Sequence, residues 1–195
     1  MSNRLNEILS EIKELEKSIQ EEIKRKEEEF RYRIRKRKVI FEEEVLLIQK
    51  TFSRGIVRYI LGARPLNILS APVIYSMIVP ALLLDFFVTL YQLICFPIYG
   101  VPKVKRKDHI ILDRHYLKYL NAIERLNCDY CSYFNGLASY ISEIGARTEQ
   151  YWCPIKHASG RARPHSRYHR FADYGDAAAY REKLDALRRK FEDAE

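Results

Sequence analysis

Four side chains in the C-terminal half have the types and spacing of a metal site. Cys128 and Cys131 form a C-x2-C pair, twenty-one residues follow, and Cys153 and His157 form a C-x3-H pair. Two residues between thiols let both sulfurs reach one ion from a tight turn, and C-x3-H sets its two donors on one helical turn or a knuckle. Three thiolates and an imidazole complete the tetrahedral shell that structural zinc prefers, with a net charge of about −1. Lys156 and Arg147 are at hand to balance it, and Tyr130, Tyr133, Phe134, Tyr151 and Trp152 crowd the ligands as a small core that a metal could staple. The expected cofactor is Zn2+. An iron–sulfur cluster is the alternative, since three Cys and one His also suit one. A dithiol redox pair is another use of C-x2-C, but it normally opens a helix in a βαβ setting, and no such pattern is present. C-x2-C-H, the signature of covalent haem attachment, is absent, and Cys95 lies apart in an apolar stretch.

A second chemistry-bearing group is basic. Arg161, Arg163, Arg167 and Arg170 alternate with His165 and His169, and no acid occurs from His157 to Phe171. With Lys103, Lys105, Arg106 and Lys107 upstream, these residues could hold an anion such as a lipid phosphate, an acidic partner or a nucleotide. A solvated basic loop facing a membrane is the simpler reading. Asp85 stands alone as the only charge between Leu66 and Tyr99. A carboxylate inside an apolar segment is costly and points to a partner cation, a helix cap or a functional role. With no second acid, His or Lys beside it, a proton relay is not expected.

The elements that would position these groups read as mainly α. Leu5, Ile8, Ile12, Leu15, Ile19, Ile23, Phe30 and Ile34 recur at steps of three, four and seven among Lys, Arg and Glu. That narrow stripe predicts a coiled-coil helix over 1–50, interrupted by a stutter at Leu15, Ile19 and Ile23 and seeking another copy or another protein. The basic run from Arg31 to Lys38 is expected to be the polar face of this helix as it nears an anionic membrane. Over 51–65, Phe52, Ile56, Ile60 and Leu61 fall on one side and Arg54, Arg58 and Arg64 off it, as in a helix lying at an interface. Residues 66–100 form a membrane segment, which as one straight helix is roughly 50 Å long against a hydrocarbon core of about 30 Å. It is either one kinked span or a re-entrant hairpin turning near Pro80. Basic residues on both flanks favour the hairpin with both ends cytoplasmic, whereas a turn in hydrocarbon leaves backbone groups unpaired. Residues 101–195 form a small α-rich metal-binding module. It has a short β-like piece at 108–113, helical spacing over 114–126 and again through Ile144, and a last helix from Ala177 to Glu195 with Tyr180, Leu184, Leu187 and Phe191 on one face.

Charge and composition bound what such a chain does. The net charge of +8 over 195 residues divides into +4 for 1–64, −1 for 65–102 and +5 for the remainder. That excess permits nucleic-acid binding without requiring it, and beside an apolar anchor it matches anionic lipid headgroups better. The first twenty residues alternate charge with Leu and Ile, unlike a secretory signal, so the thiols are expected to stay reduced. No nucleophile–base constellation, phosphate-binding glycine loop or carboxylate pair is present, and no small-molecule substrate suggests itself. The expectation is therefore a non-enzymatic, membrane-anchored scaffold or accessory protein, assembling with itself or a larger membrane complex. An electron-transfer or thiol-redox accessory protein is the alternative, and a membrane-tethered nucleic-acid binder the second.

Val101 to Tyr180 resembles a family of uncharacterised bacterial membrane proteins. The likeness is carried by Val101-Pro102-Lys103-Val104-Lys105, by Asp113-Arg114-His115 and by Tyr119-Leu120-Asn121. It continues in Leu126-Asn127-Cys128-Asp129-Tyr130-Cys131, in Ala146 through His157 with its Tyr151-Trp152-Cys153-Pro154-Ile155-Lys156-His157 run, and in His165-Ser166-Arg167-Tyr168. The resemblance implies a place in the bacterial cytoplasmic membrane, with the soluble parts cytoplasmic, and implies no activity.

Overall fold

A computed structural model of the chain describes residues 2–35, 38–159 and 164–191, leaving aside the side chains of 2–10 and 13. The protein is mainly helical. It divides into two compact units, Met1–Gly62 with Asp113–Cys128, and Ala63–Leu112 with Asp129–Glu195. Each is described by itself.

The first unit opens with α1, Ser2–Glu29, about 42 Å of helix at 1.5 Å per residue. Its apolar stripe is uncovered, with Ile12, Leu15, Ile19 and Ile23 all exposed. The helix does not continue to residue 50. Arg31 takes a left-handed φ of 49°, and the basic run becomes a hairpin of β1, Tyr32–Arg35, and β2, Lys38–Phe41, with Tyr32 opposite Phe41 and Ile34 opposite Val39. The cause is an alternation within the basic run. Tyr32, Ile34, Val39 and Phe41 fall on one face at a period of two, and the Tyr32 and Phe41 rings meet at 5.6 Å. Arg31 bridges to Glu42 and, at 3.1 Å, to Glu44, holding the hairpin to the helix that follows. Lys36 and Arg37 lie outside the described residues. After α2, Glu43–Thr51, the interfacial helix expected over 51–65 shrinks to α3, Ile56–Leu61. Phe52 N–H turns back to Gln49 O, and Gly55 precedes the new helix. In the returning part of this unit, Lys118 N–H donates to Gln49 Oε1 at 2.9 Å. Asn121 then starts α7, Ala122–Trp152. Its side chain accepts from Ile123 and Glu124 N–H, while Glu124 accepts from Asn121 N–H, a reciprocal cap.

The second unit begins with the apolar segment as α4, Pro65–Ser76, and α5, Ile78–Tyr99. Met77 between them keeps a right-handed helical backbone, with ψ at −15°, so the segment is one rod. Pro80 interrupts the hydrogen-bond ladder, since it lacks the N–H that would bond Ser76 O. The chain does not reverse there, contrary to the hairpin expectation. Contacts with α7 confirm one direction. Ile74 meets Tyr130, Asp85 meets Tyr133, Thr89 meets Tyr140, Tyr91 meets Thr148 and Tyr99 stacks on Tyr151. Both numbers climb together, so the rod and α7 run parallel.

Parallel helices need a return path, and residues 101–112 supply it. Gly100, at φ 67°, ends α5 in the left-handed conformation, and Val101 N–H bonds back to Phe96 O at 2.9 Å with both side chains buried, as in a Schellman closure. Val104 N–H donates to Gln92 Oε1 at 2.9 Å and Gln92 Nε2 donates to Val104 O at 3.3 Å, so one glutamine side chain pairs with this segment as a strand would. The expected β-like piece at 108–113 is not a strand: Arg106–His109 forms a single helical turn, α6. The segment then crosses α7 at Gly136, where a Cβ would sit 2.7 Å from His109 O and 2.8 Å from Ile110 Cα. Phe96, Val101, Val104, Leu137, Tyr140, Ile144 and Phe191 fill the core between these elements. The last helix, α8, is Ala177–Arg189, capped by the Asp176 side chain. Leu184, Leu187 and Phe191 are buried as the sequence pattern requires, and residues 192–195 lie outside the described residues.

Candidate functional site

The four proposed metal ligands do not converge. Cys131 sits mid-helix in α7 and Cys153 just beyond its C-terminal end. Twenty-two residues of continuous helix set them roughly 33 Å apart along the axis, and Cys128 lies a further turn away. Neither an ion nor an iron–sulfur cluster can bridge that gap within one chain, and among the described residues no group of three or more His, Cys, Asp or Glu could hold a metal. The reason is local. α7 starts at Ala122, before the C-x2-C, and Tyr133, Leu137, Tyr140, Ile144, Thr148 and Tyr151 continue its three-four period beyond the motif, so the two thiols sit in a helix instead of a tight turn. The proposed balancing cations are engaged elsewhere. Lys156 pairs with Asp173 at 2.7 Å and holds that carboxyl below its usual range, while Arg147 pairs with Glu143 at 2.8 Å.

The end of α7 instead forms a buried polar hub. Glu143 accepts from Arg147 Nε at 2.8 Å and from Arg167 Nη2 at 3.2 Å. Arg167 Nη1 donates to Gln150 Oε1, and Gln150 Nε2 donates to the carbonyls of Leu187 and Lys190. His165 meets Glu149 at 3.0 Å, and His157 N–H donates to the Tyr168 hydroxyl. Arg167, only 2% exposed, is thus a tie between α7 and the 165–171 segment and not part of an anion site. Arg170 also has a partner, and Arg161 and Arg163 lie outside the described residues. Of the other basic candidates, Lys103, Lys105 and Lys107 are on the surface.

Arg106 answers the question posed by Asp85. Its guanidinium grips the carboxylate with Nη2 at 2.7 Å and Nε at 3.2 Å, and this bond raises the guanidinium's pKa against its own desolvation. Tyr133 donates to the same carboxylate at 3.0 Å, and burial followed by that bond raises the phenol. Thr89 adds a longer bond at 3.4 Å and lies 3.3 Å from the Tyr140 hydroxyl, to which Gln92 also bonds. Asp85, Thr89 and Gln92 step by four and three along α5 and make one polar seam. Of the alternatives for Asp85, the partner cation is the one present, and this chain supplies it. Thr89, Gln92 and Gln150 escaped the sequence reading; the Asp85, Thr89, Gln92 spacing was the available signal for two of them.

Opposite the seam, α5 is bare. Val79, Leu82, Leu83, Phe86, Phe87, Leu90, Leu93, Ile94 and Ile98 are exposed and cover about half the helix circumference at 100° per residue. Pro65–Tyr99 is long and apolar enough to cross a membrane, yet only 11% of its most apolar window is buried. The arrangement provides an apolar half-cylinder backed by an internally satisfied polar seam, with exposed lysines on the return segment beside it. No family model, curated protein or solved structure matches the chain.

Proposed function

We propose that this protein is a non-catalytic, membrane-attached scaffold of the bacterial cytoplasmic membrane. The α4–α5 rod is its lipid contact, the C-terminal module its soluble body, and the bare stripe of α1 its assembly contact with another copy or another protein. The observation that carries the reading is the half-bare α5. A soluble core helix would be covered all round, whereas an exposed apolar patch of this extent marks a membrane or partner surface. The seam supports it as well, because Asp85, Thr89 and Gln92 of α5 are turned inward and paired instead of facing lipid. The hub at Glu143 and Arg167 ties α7 to the 165–171 segment within the C-terminal module.

Flotation of the purified full chain with vesicles tests this. Binding is expected to both neutral and phosphatidylglycerol vesicles and to be tighter to the anionic ones. Lys105→Ala should weaken the anionic preference by roughly fivefold, the equivalent of about 1 kcal/mol per basic residue at the surface. A chain that stays unbound with anionic vesicles at low salt would sink the reading, as would one whose binding is unchanged by Phe87→Glu.

A further inference from the structure

We propose that the α4–α5 rod lies along a single leaflet, its bare half in the acyl region and its seam side toward water, and that it does not cross the bilayer. This rests on the membrane reading above and fixes its geometry. Length decides first. The stretch uncovered on all sides ends where α7 joins the rod at Ile74, and Pro65 to Val73 spans only about 13 Å against a hydrocarbon core of about 30 Å.

From Ile74 to Tyr99 the rod has company, and that company is charged. Asp129 adjoins Tyr130 at the Ile74 level. Arg106 lies at the Asp85 level with Lys105 and Lys107 beside it, and Lys103 adjoins Val104 at the Gln92 level. Any upright window of about twenty residues would carry one or more of these groups into hydrocarbon, and Lys103 and Lys105 are exposed on the surface. Charges at that depth are costly and require burial or pairing. Laid flat, the molecule turns the bare half of α5 to the acyl region and the side covered by α7 and the return segment toward water.

Charge also selects the occupant. Exposed lysines on the return segment that pairs with α5 attract anionic headgroups and disfavour a second, equally basic copy as the occupant. At the C-terminal end of the rod, Tyr99 packs against Trp152, rings 5.3 Å apart, and Trp152 is half exposed, an aromatic pair suited to the headgroup level.

Depth measurement separates the geometries. In the full chain carrying Trp152→Phe, single tryptophans are placed on the bare face as Val79→Trp, Phe87→Trp or Ile98→Trp. Each variant is bound to phosphatidylethanolamine–phosphatidylglycerol vesicles, with bromine on the acyl chains near the headgroup or near the chain end. In-plane binding places all three at one shallow depth, about 5–10 Å below the headgroup boundary, quenched best by the headgroup-proximal bromine. A crossing helix separates residues 79 and 98 by about 28 Å, so deep quenching at Phe87→Trp with shallow quenching at the other two would overturn the proposal. So would floating protein with no quenching at any site, which would mean that protein covers the face. A chain that fails to float overturns the membrane reading itself, before any depth is read.

Discussion

α1 and α7 are helices of nearly equal length, 28 and 31 residues, and both carry an apolar stripe, yet they stand in opposite conditions. On α1, Ile12, Leu15, Ile19 and Ile23 are exposed and the side chains that pair do so locally, as Lys17 with Glu21 and Lys26 with Glu29. Such i,i+3 and i,i+4 pairs contribute only about 0.2–0.5 kcal/mol each. On α7, Leu137, Tyr140 and Ile144 are buried under α5 and the return segment, and Glu143, Arg147 and Gln150 are fixed by partners distant in sequence. A stripe of correct period makes a helix amphipathic; what it packs against decides whether that helix is a scaffold element or an open binding surface.

The comparison can be broken most severely at the hub. Glu143→Ala leaves the guanidiniums of Arg147 and Arg167 buried without their shared carboxylate, and an expected loss of about 3–5 kcal/mol should appear in denaturant unfolding of the detergent-solubilised chain. An unchanged midpoint would show that the hub does not hold the module. Next comes Gly136→Ala, whose Cβ would meet the backbone at His109 and Ile110. Because backbone cannot swing aside as a side chain can, destabilisation of about 1–3 kcal/mol is expected, although alanine favours an isolated helix.

The thiols sharpen the contrast from another side. Cys131→Ser and Cys153→Ser, measured singly and together, should show a coupling below about 0.5 kcal/mol because the sites are far apart. A large coupling would mean that one ion joins them and that α7 is not continuous. The smallest effect belongs to α1. Ile19→Asp should alter unfolding by less than about 0.5 kcal/mol, as expected for an exposed site, while sedimentation of the same variant should reveal lost self-association if α1 recruits a second copy. A loss of stability comparable to that of Glu143→Ala would erase the distinction between the two helices.

Much of the fold follows from local pattern. The period of α1, the apolar run of 65–99 and the face of α8 are each visible because the residues that define them are neighbours on one element. The hairpin at 32–41 was hidden by charge: its basic residues suggested a helix face, and only the period-two set Tyr32, Ile34, Val39 and Phe41 gave the alternative. The four metal-ligand candidates are set apart in this structure for a related reason. C-x2-C and C-x3-H are statements about spacing, and spacing has no fixed distance until the backbone between the pairs is known. A turn would have joined the pairs, and the uninterrupted helical period from Tyr133 to Tyr151 separates them.

By itself, the sequence determined that an apolar rod exists, that Asp85 within it needs a partner, and that basic residues flank it, since hydropathy and charge are properties of residues. Only the tertiary structure decided that Arg106 of the same chain is that partner, that the rod does not reverse at Pro80, and which half of α5 is bare. Those outcomes depend on the return segment crossing α7 at Gly136 and running back along α5. That packing is long-range, so no window of sequence contains it.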